Sequence, residues 1–164
     1  FSRPPRASDG CIVLSSLDLS ALGAVLQYNS TPVIIANNLD WQASKFGETE
    51  KKSLQKTLQA WLQNWREQNT VSYLSYYSRD FFGDGFDYAH WVEHKTRVQA
   101  GKPKVDITIS DLSMFGYPGT ADKLVMVNFV QAFRSPLVRD RLQKRQYWRL
   151  ENGTWKIVYE GVVA

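Results

Sequence analysis

The residue most able to do covalent chemistry is Cys11, the single cysteine of the chain. It stands in Ser8-Asp9-Gly10-Cys11-Ile12-Val13-Leu14, where an apolar run begins directly after the thiol. That order puts the sulfur at the mouth of a strand, with the N–H groups near Gly10 and Cys11 available to a developing oxyanion. The same string also fits a small hydrophobe buried beside a strand. A second candidate is His90-Trp91-Val92-Glu93-His94, which spells H-x-x-E-H, the inverted zinc-protease motif, with the histidines at i and i+4 on one helix face. A catalytic zinc needs a third ligand and an open position, and the chain downstream reads as strands rather than a ligand-bearing helix. The histidines are therefore read as helix-surface residues, and no metal or other cofactor is expected.

Two further groups bear on binding. Trp61, Trp65, Tyr76, Trp91, Phe129 and Tyr147 are candidates to line a cup that accepts a sugar face or a peptide side chain, or else to fill a core. Arg134, Arg139, Arg141, Lys144 and Arg145 cluster in the last third of the chain. They read either as a solvated sheet edge or as a contact for anionic glycan or peptide carboxylates.

These residues need elements to hold them. Leu17, Leu19, Leu22, Val25 and Leu26 predict a short helix capped by Ser15 or Ser16, and Val33-Ile34-Ile35 predicts a short buried strand. Periodicity is lost over Asn37-Asn38-Leu39-Asp40, which marks a boundary. Leu54, Leu58, Trp61, Leu62 and Trp65 then recur at helical spacing over about 48–68, and further helices are expected over 71–77 and, capped by Asp87, over 87–99. After Gly101-Lys102-Pro103 the period changes to two. Strands are expected over about 105–114, 124–133, 139–150 and 154–163, with a bulge between Ile109 and Leu112 and a tight hairpin at Glu151-Asn152-Gly153. Helices before strands indicate α+β: three helices packed on a curved antiparallel sheet of about four long strands, preceded by a loop-helix-strand piece. The expected organisation is residues 1–38, a linker over 39–46, and a complete domain over 47–164.

Composition agrees with a folded chain. At 164 residues there is room for one well-buried domain and a short extra piece, and 43% hydrophobic residues with six Trp, eight Tyr and eight Phe need a core. The net charge of +4 is dispersed among 16 acids, so no phosphate-tracking stripe stands out and no nucleic-acid partner is expected. The longest apolar runs, such as Val33 to Ala36, are far too short to cross a bilayer. One cysteine excludes a disulfide within the chain and a zinc–cysteine cluster.

With Ser8-Asp9-Gly10-Cys11-Ile12-Val13-Leu14, the Leu17-Asp18-Leu19 helix and Thr31-Pro32-Val33-Ile34-Ile35 in place, residues 6–35 resemble the end of an L,D-transpeptidase (YkuD-type) catalytic domain. That resemblance implies a mostly β catalytic domain acting on peptidoglycan stem peptides in the periplasm or cell envelope of a bacterium. It makes Cys11 the nucleophile, makes Gly10 and Cys11 part of the oxyanion hole, and has Ser8 orient the catalytic His. The chain departs from the commonest motif at Asp9, Val13 and Ser16, where His, Arg and Asn are frequent. The family's His lies upstream of the cysteine, and none of the ten residues before Cys11 is His. The expectation is therefore that this chain alone is inactive and is the C-terminal portion of a longer enzyme.

Trp61-x-x-x-Trp65, Tyr73-Leu74-Ser75-Tyr76-Tyr77, Phe81, Trp91, Tyr147-Trp148-Arg149-Leu150 and Trp155-Lys156-Ile157-Val158 resemble the nuclear transport factor 2-like superfamily, in the version appended to some cell-wall L,D-transpeptidases. This implies an α+β cone over 47–163 serving as an accessory binding or docking module. Its expected partners are peptidoglycan stem peptides or glycan, and a second copy pairing through the sheet. The other reading is a stand-alone binding protein for a small, glycan or peptide ligand.

Overall fold

The computed structural model describes residues 11–27, 31–35, 46–101, 104–117, 122–135 and 138–163. Ser8, Asp9 and Gly10, and all of the 39–46 linker except Phe46, lie outside the described residues. The chain divides into two compact units, Phe1–Ile35 and Ala36–Ala164.

In the first unit, α1 (Ser16–Gly23) starts where the Ser15 side chain accepts the Asp18 backbone N–H, satisfying one of the N–H groups that a helix start leaves unpaired. No residue of α1 is buried. The strand expected over Val33–Ile35 is absent from the described residues; these three side chains are exposed on an unpaired stretch. An isolated strand has nothing to satisfy its backbone groups, so apolar β-branched residues alone do not create one.

In the second unit, α2 (Glu48–Arg66) buries Leu54, Leu58, Trp61, Leu62 and Trp65 on one face. A short α3 (Thr70–Leu74) follows, then strands β1 (Tyr77–Gly83) and β2 (Phe86–Asp87), helix α4 (Tyr88–Gln99), and strands β3 (Asp106–Gly116), β4 (Leu124–Arg134), β5 (Arg139–Glu151) and β6 (Thr154–Val162). The fold is α+β with a six-stranded sheet in the order β2-β1-β6-β5-β4-β3. This corrects the expected three helices and four strands: the described residues hold four helices, one of them α1, and six strands. The helix expected over 71–77 stops at Leu74, and two strands that were not expected, β1 and β2, pair as a hairpin through the turn at Asp84-Gly85. The sheet is also not wholly antiparallel, because β1 runs parallel to β6. Gly83 permits that approach: a Cβ there would stand 2.2 Å from the Glu160 carbonyl oxygen.

Other local expectations meet their physical causes. Asp87 caps α4 by accepting the His90 N–H. The β3–β4 register shifts between Ser110 and Ser113, with Asp111 at φ 53°, which is the bulge signalled by the phase slip. The β5–β6 connection puts Asn152 at φ 48° and Gly153 at φ 79°, the left-handed pair that a tight hairpin requires. Between α2, α4 and the sheet lies the core, whose large members are Trp61, Trp91, Trp148, Tyr73, Phe81 and Phe129.

Candidate functional site

Alternation along β5 sends Lys144, Gln146 and Trp148 to the buried side of the sheet. On β6 an extra residue intervenes: Tyr147 pairs with Tyr159 while Trp148 pairs with Ile157, so the strand changes phase at Val158. Glu160 is thereby turned inward and is only 2% exposed. A buried carboxylate is costly unless its oxygens are occupied, and here they are. Tyr77 donates its hydroxyl to Oε2 at 3.0 Å, Gln146 donates Nε2 to the same oxygen at 2.8 Å, and Lys144 Nζ stands 3.5 Å from Oε1. The network extends through Trp148 Nε1, which donates to Gln146 Oε1 at 2.9 Å, and through the Tyr73 and Tyr77 hydroxyls, 2.6 Å apart.

At its outer end Lys144 Nζ also reaches Asp84 Oδ2 at 3.3 Å, on the β1–β2 turn. Lys95 of α4 completes the group, with Nζ 4.2 Å from the centre of the Trp91 ring. Two cations and two anions from four separate elements therefore converge. Burial holds Lys95 below the ordinary lysine range, against the pull of Glu160 and Asp84 and with added repulsion from Lys144. For Lys144 burial acts downward too, but Glu160 and Asp84 more than offset it and its pKa is raised. Asp84 is the exposed member, and Lys144 lies buried between it and Glu160. The arrangement suits recognition of a charged group.

A pH dependence follows. Burial, reinforced by the Glu160 charge, raises Tyr73 and Tyr77 well above the ordinary value of 10.0. Above pH 10 the unfolded chain gives up these protons while the folded chain keeps them, so stability falls as pH rises. Lys144, with its raised pKa, adds to that loss above 10.5, and Lys95, with its lowered pKa, opposes it as pH climbs towards 10.5. Each tyrosine contributes up to about 1.4 kcal/mol per pH unit. Urea unfolding between pH 9 and 11 should show the decline, and Tyr73→Phe should reduce its slope.

The residues anticipated from sequence are distributed as follows. Trp61, Trp65, Trp91 and Phe129 are buried core residues at 0–8% exposure; the Trp61 ring contacts those of Trp65, Tyr73, Phe129 and Trp148, and the Trp91 ring contacts that of Tyr77. Tyr76 is half-buried, with Asn64 Nδ2 3.5 Å from its hydroxyl. Tyr147 is half-buried on the other side of the sheet, in ring contact with Tyr117 and Tyr159. Lys144 does not belong with Arg139, Arg141 and Arg145, because alternation along β5 sends it to the opposite face. Of the H-x-x-E-H pair, His90 Nδ1 lies 2.7 Å from Asp87 Oδ1, while His94 stacks on Phe86 at 5.0 Å and is lowered by burial and by Lys95 and Arg97. Cys11 is exposed in the first unit. No helix among the described residues is long and apolar enough to cross a membrane.

Sequence reasoning missed Glu160, Asp84 and Lys95. Lys144 was within reach, since Trp148 and the period of two already place it inward. Glu160 was not, because the bulge at Val158 reverses the phase.

The family model described as the Cds6 C-terminal NTF2-like domain matches residues 53–161. No curated protein matches the chain. Among solved structures, Bd1075 of Bdellovibrio bacteriovorus is 21% identical, covering 94% of this chain and 56% of its own, with a TM-score of 0.73. A mutant of Pgp2 of Campylobacter jejuni, described as a helical cell shape determining protein, is 22% identical, covering 70% of this chain and 41% of its own, with a TM-score of 0.65. An NTF2-like protein of unknown function from Pseudomonas putida covers 72% of this chain and 88% of its own, at 12% identity and a TM-score of 0.60. The chain thus spans about half the length, or less, of the first two, and these likenesses establish the NTF2-like fold of the second unit.

Proposed function

The chain belongs to the Cds6 C-terminal NTF2-like domain family, and we propose that it is the C-terminal portion of a cell-wall peptidoglycan L,D-transpeptidase-type protein, with residues 1–38 closing the catalytic domain and the cone serving as its binding module. The observation that carries this reading is the uncovered apolar surface around Cys11. Leu17 is 84% exposed, Val25 72% and Ile35 80%, and no residue of 11–27 or 31–35 is buried. Within the first unit no core closes over these side chains, and they form an apolar layer. It adjoins the Ser8-Asp9-Gly10-Cys11 string, and the likeness to Bd1075 covers more of this chain than the cone alone accounts for.

In the longer protein the Cys11 thiolate attacks the stem-peptide carbonyl, the L,D peptide bond breaks as the leaving amine takes a proton, and a thioester acyl-enzyme forms. An amine acceptor then yields a cross-link, and water yields a carboxypeptidase or amidase outcome. Ser8 orients the base, a His supplied by the preceding sequence, and the N–H groups at Gly10 and Cys11 stabilise the oxyanion. The longer protein works in the periplasm or cell envelope of a bacterium.

The cone binds rather than reacts. We take its Lys95–Asp84–Lys144–Glu160 group as the contact for a stem carboxylate, and the completeness of that group within the second unit favours one rival reading, a stand-alone binding protein for a small, glycan or peptide ligand. The reading frame before Phe1 separates the two: the first requires a His in an H-G context and a secretion signal, the second neither. The direct test is turnover of a tetrapeptide stem by the longer protein with and without Cys11.

A further inference from the structure

The side of the sheet opposite α2 carries two grooves in line along β5. One, of about 330 Å³, is lined by Tyr117, Leu124, Tyr147, Val158 and Tyr159, with the Tyr147 ring 5.9 Å from Tyr117 and 5.6 Å from Tyr159. The other, of about 520 Å³, includes Ser110, Val130, Ala132, Arg134, Arg139 and Arg141. The β4–β5 register is continuous and sets Arg134 opposite Arg139, Ala132 opposite Arg141, and Met126 opposite Tyr147, so these side chains share one face. From Arg139 to Tyr147 the strand advances about 26 Å at roughly 3.3 Å per residue.

Folding does not account for the basic end. Arg134 and Arg139 are like charges placed directly across a strand pair, which disfavours the pairing. All three guanidinium groups are exposed, and none forms an ion pair among the described residues. The nearest acids do not neutralise them: Asp140 accepts the Arg141 backbone N–H, and Asp106 faces Arg134 in register without an ion pair. At the other end three tyrosines offer flat apolar faces with hydroxyls at their rims, the chemistry that stacks on a sugar ring. Arg145, held by Asn128 Oδ1 at 2.8 Å, lies between.

We infer that this face is a second binding surface, distinct from the interior charge group, and that its occupant is a peptidoglycan glycan strand: sugar rings lie on Tyr117, Tyr147 and Tyr159, and carboxylates of the strand's substituents pair with Arg134, Arg139 and Arg141. The choice of occupant rests on the cell-wall reading above and on charge complementarity. A second copy of the chain brings the same three guanidinium groups to the contact and is disfavoured by them.

The test is co-sedimentation of the 164-residue chain with purified peptidoglycan sacculi. The parent should pellet with them, less so as salt rises. The triple variant Arg134→Ala, Arg139→Ala, Arg141→Ala should bind at least about tenfold more weakly while melting no lower than the parent, since all three side chains are exposed and the Arg134–Arg139 repulsion is removed, and the triple Lys variant should recover part of the loss. Tyr117→Ala, a half-exposed site, should weaken binding with little change in salt dependence. Failure of the parent to pellet, equal pelleting by the triple Ala variant, equal binding to uncharged chitin or to DNA, or a dimer that Tyr117→Ala dissociates would each overturn the inference. The cell-wall enzyme reading is judged separately, by Cys11-dependent turnover in the longer protein, so either can fail without the other.

Discussion

Replacing Glu160 with alanine is expected to destabilise the second unit by about 3–5 kcal/mol, the range for removing one member of a buried ion pair. The loss has three sources. Lys144, whose side chain is only 9% exposed, is left with Asp84 as its one anionic partner. Gln146 loses the acceptor for its Nε2, and Tyr77 loses the acceptor for its hydroxyl, leaving buried donors unsatisfied. The parent and variant should therefore separate clearly in urea unfolding. Glu160→Gln, which keeps an acceptor but turns an amide towards Lys144, should fall between them. Removing both charges in Glu160→Leu, Lys144→Leu should recover a large part of the loss, since a buried pair is often replaceable by apolar side chains while half a pair is not. A variant within 1 kcal/mol of the parent for Glu160→Ala would mean that the carboxylate is hydrated rather than held by these partners.

Trp61→Ala should cost a comparable amount, about 3–5 kcal/mol, by a different route. Trp61 is fully buried on α2 and is in ring contact with Trp65 at 5.3 Å, Tyr73 at 6.0 Å, Phe129 at 6.1 Å and Trp148 at 6.5 Å. Removing it empties the point where α2, α3, β4 and β5 meet, and the surrounding rings are too large and too mutually packed to collapse into the space. Thermal and urea melts of the two variants also discriminate the forces: the Trp61 loss should be insensitive to salt and to pH below 10, whereas the tyrosines beside Glu160 make the polar core respond to alkali.

The parts of this architecture that obey one period throughout can be read directly from the residues. The five buried positions of α2 repeat every three or four residues, and the β5–β6 hairpin announces itself in Asn152-Gly153. The bulge after Ile109 shows as a phase slip. What stays hidden depends on pairing across the chain. In β1, Tyr77 and Ser78 are both buried and Arg79 and Asp80 both exposed, so no alternation marks the strand; its register against β6 shifts between Tyr77 and Phe82. The interior charge group is hidden for the same reason, because Glu160 faces inward only through the extra residue at Val158. Aromatic residues were the reverse case. Their types allowed either a lined cup or a core; Trp61, Trp65, Trp91 and Phe129 are close-packed, and only Tyr147 of the six borders an open groove described above. A residue type tells which surfaces it can serve, and packing decides which one it does.

The most direct test of the proposed role is turnover of a tetrapeptide stem by the longer protein that carries this chain at its C-terminal end. Cleavage or transfer at the L,D bond is expected, accompanied by a thioester adduct on the peptide containing Cys11, and both should vanish in Cys11→Ala while the 164-residue chain alone gives neither. Turnover that survives Cys11→Ala, or a longer protein that leaves stem peptides untouched, would contradict it.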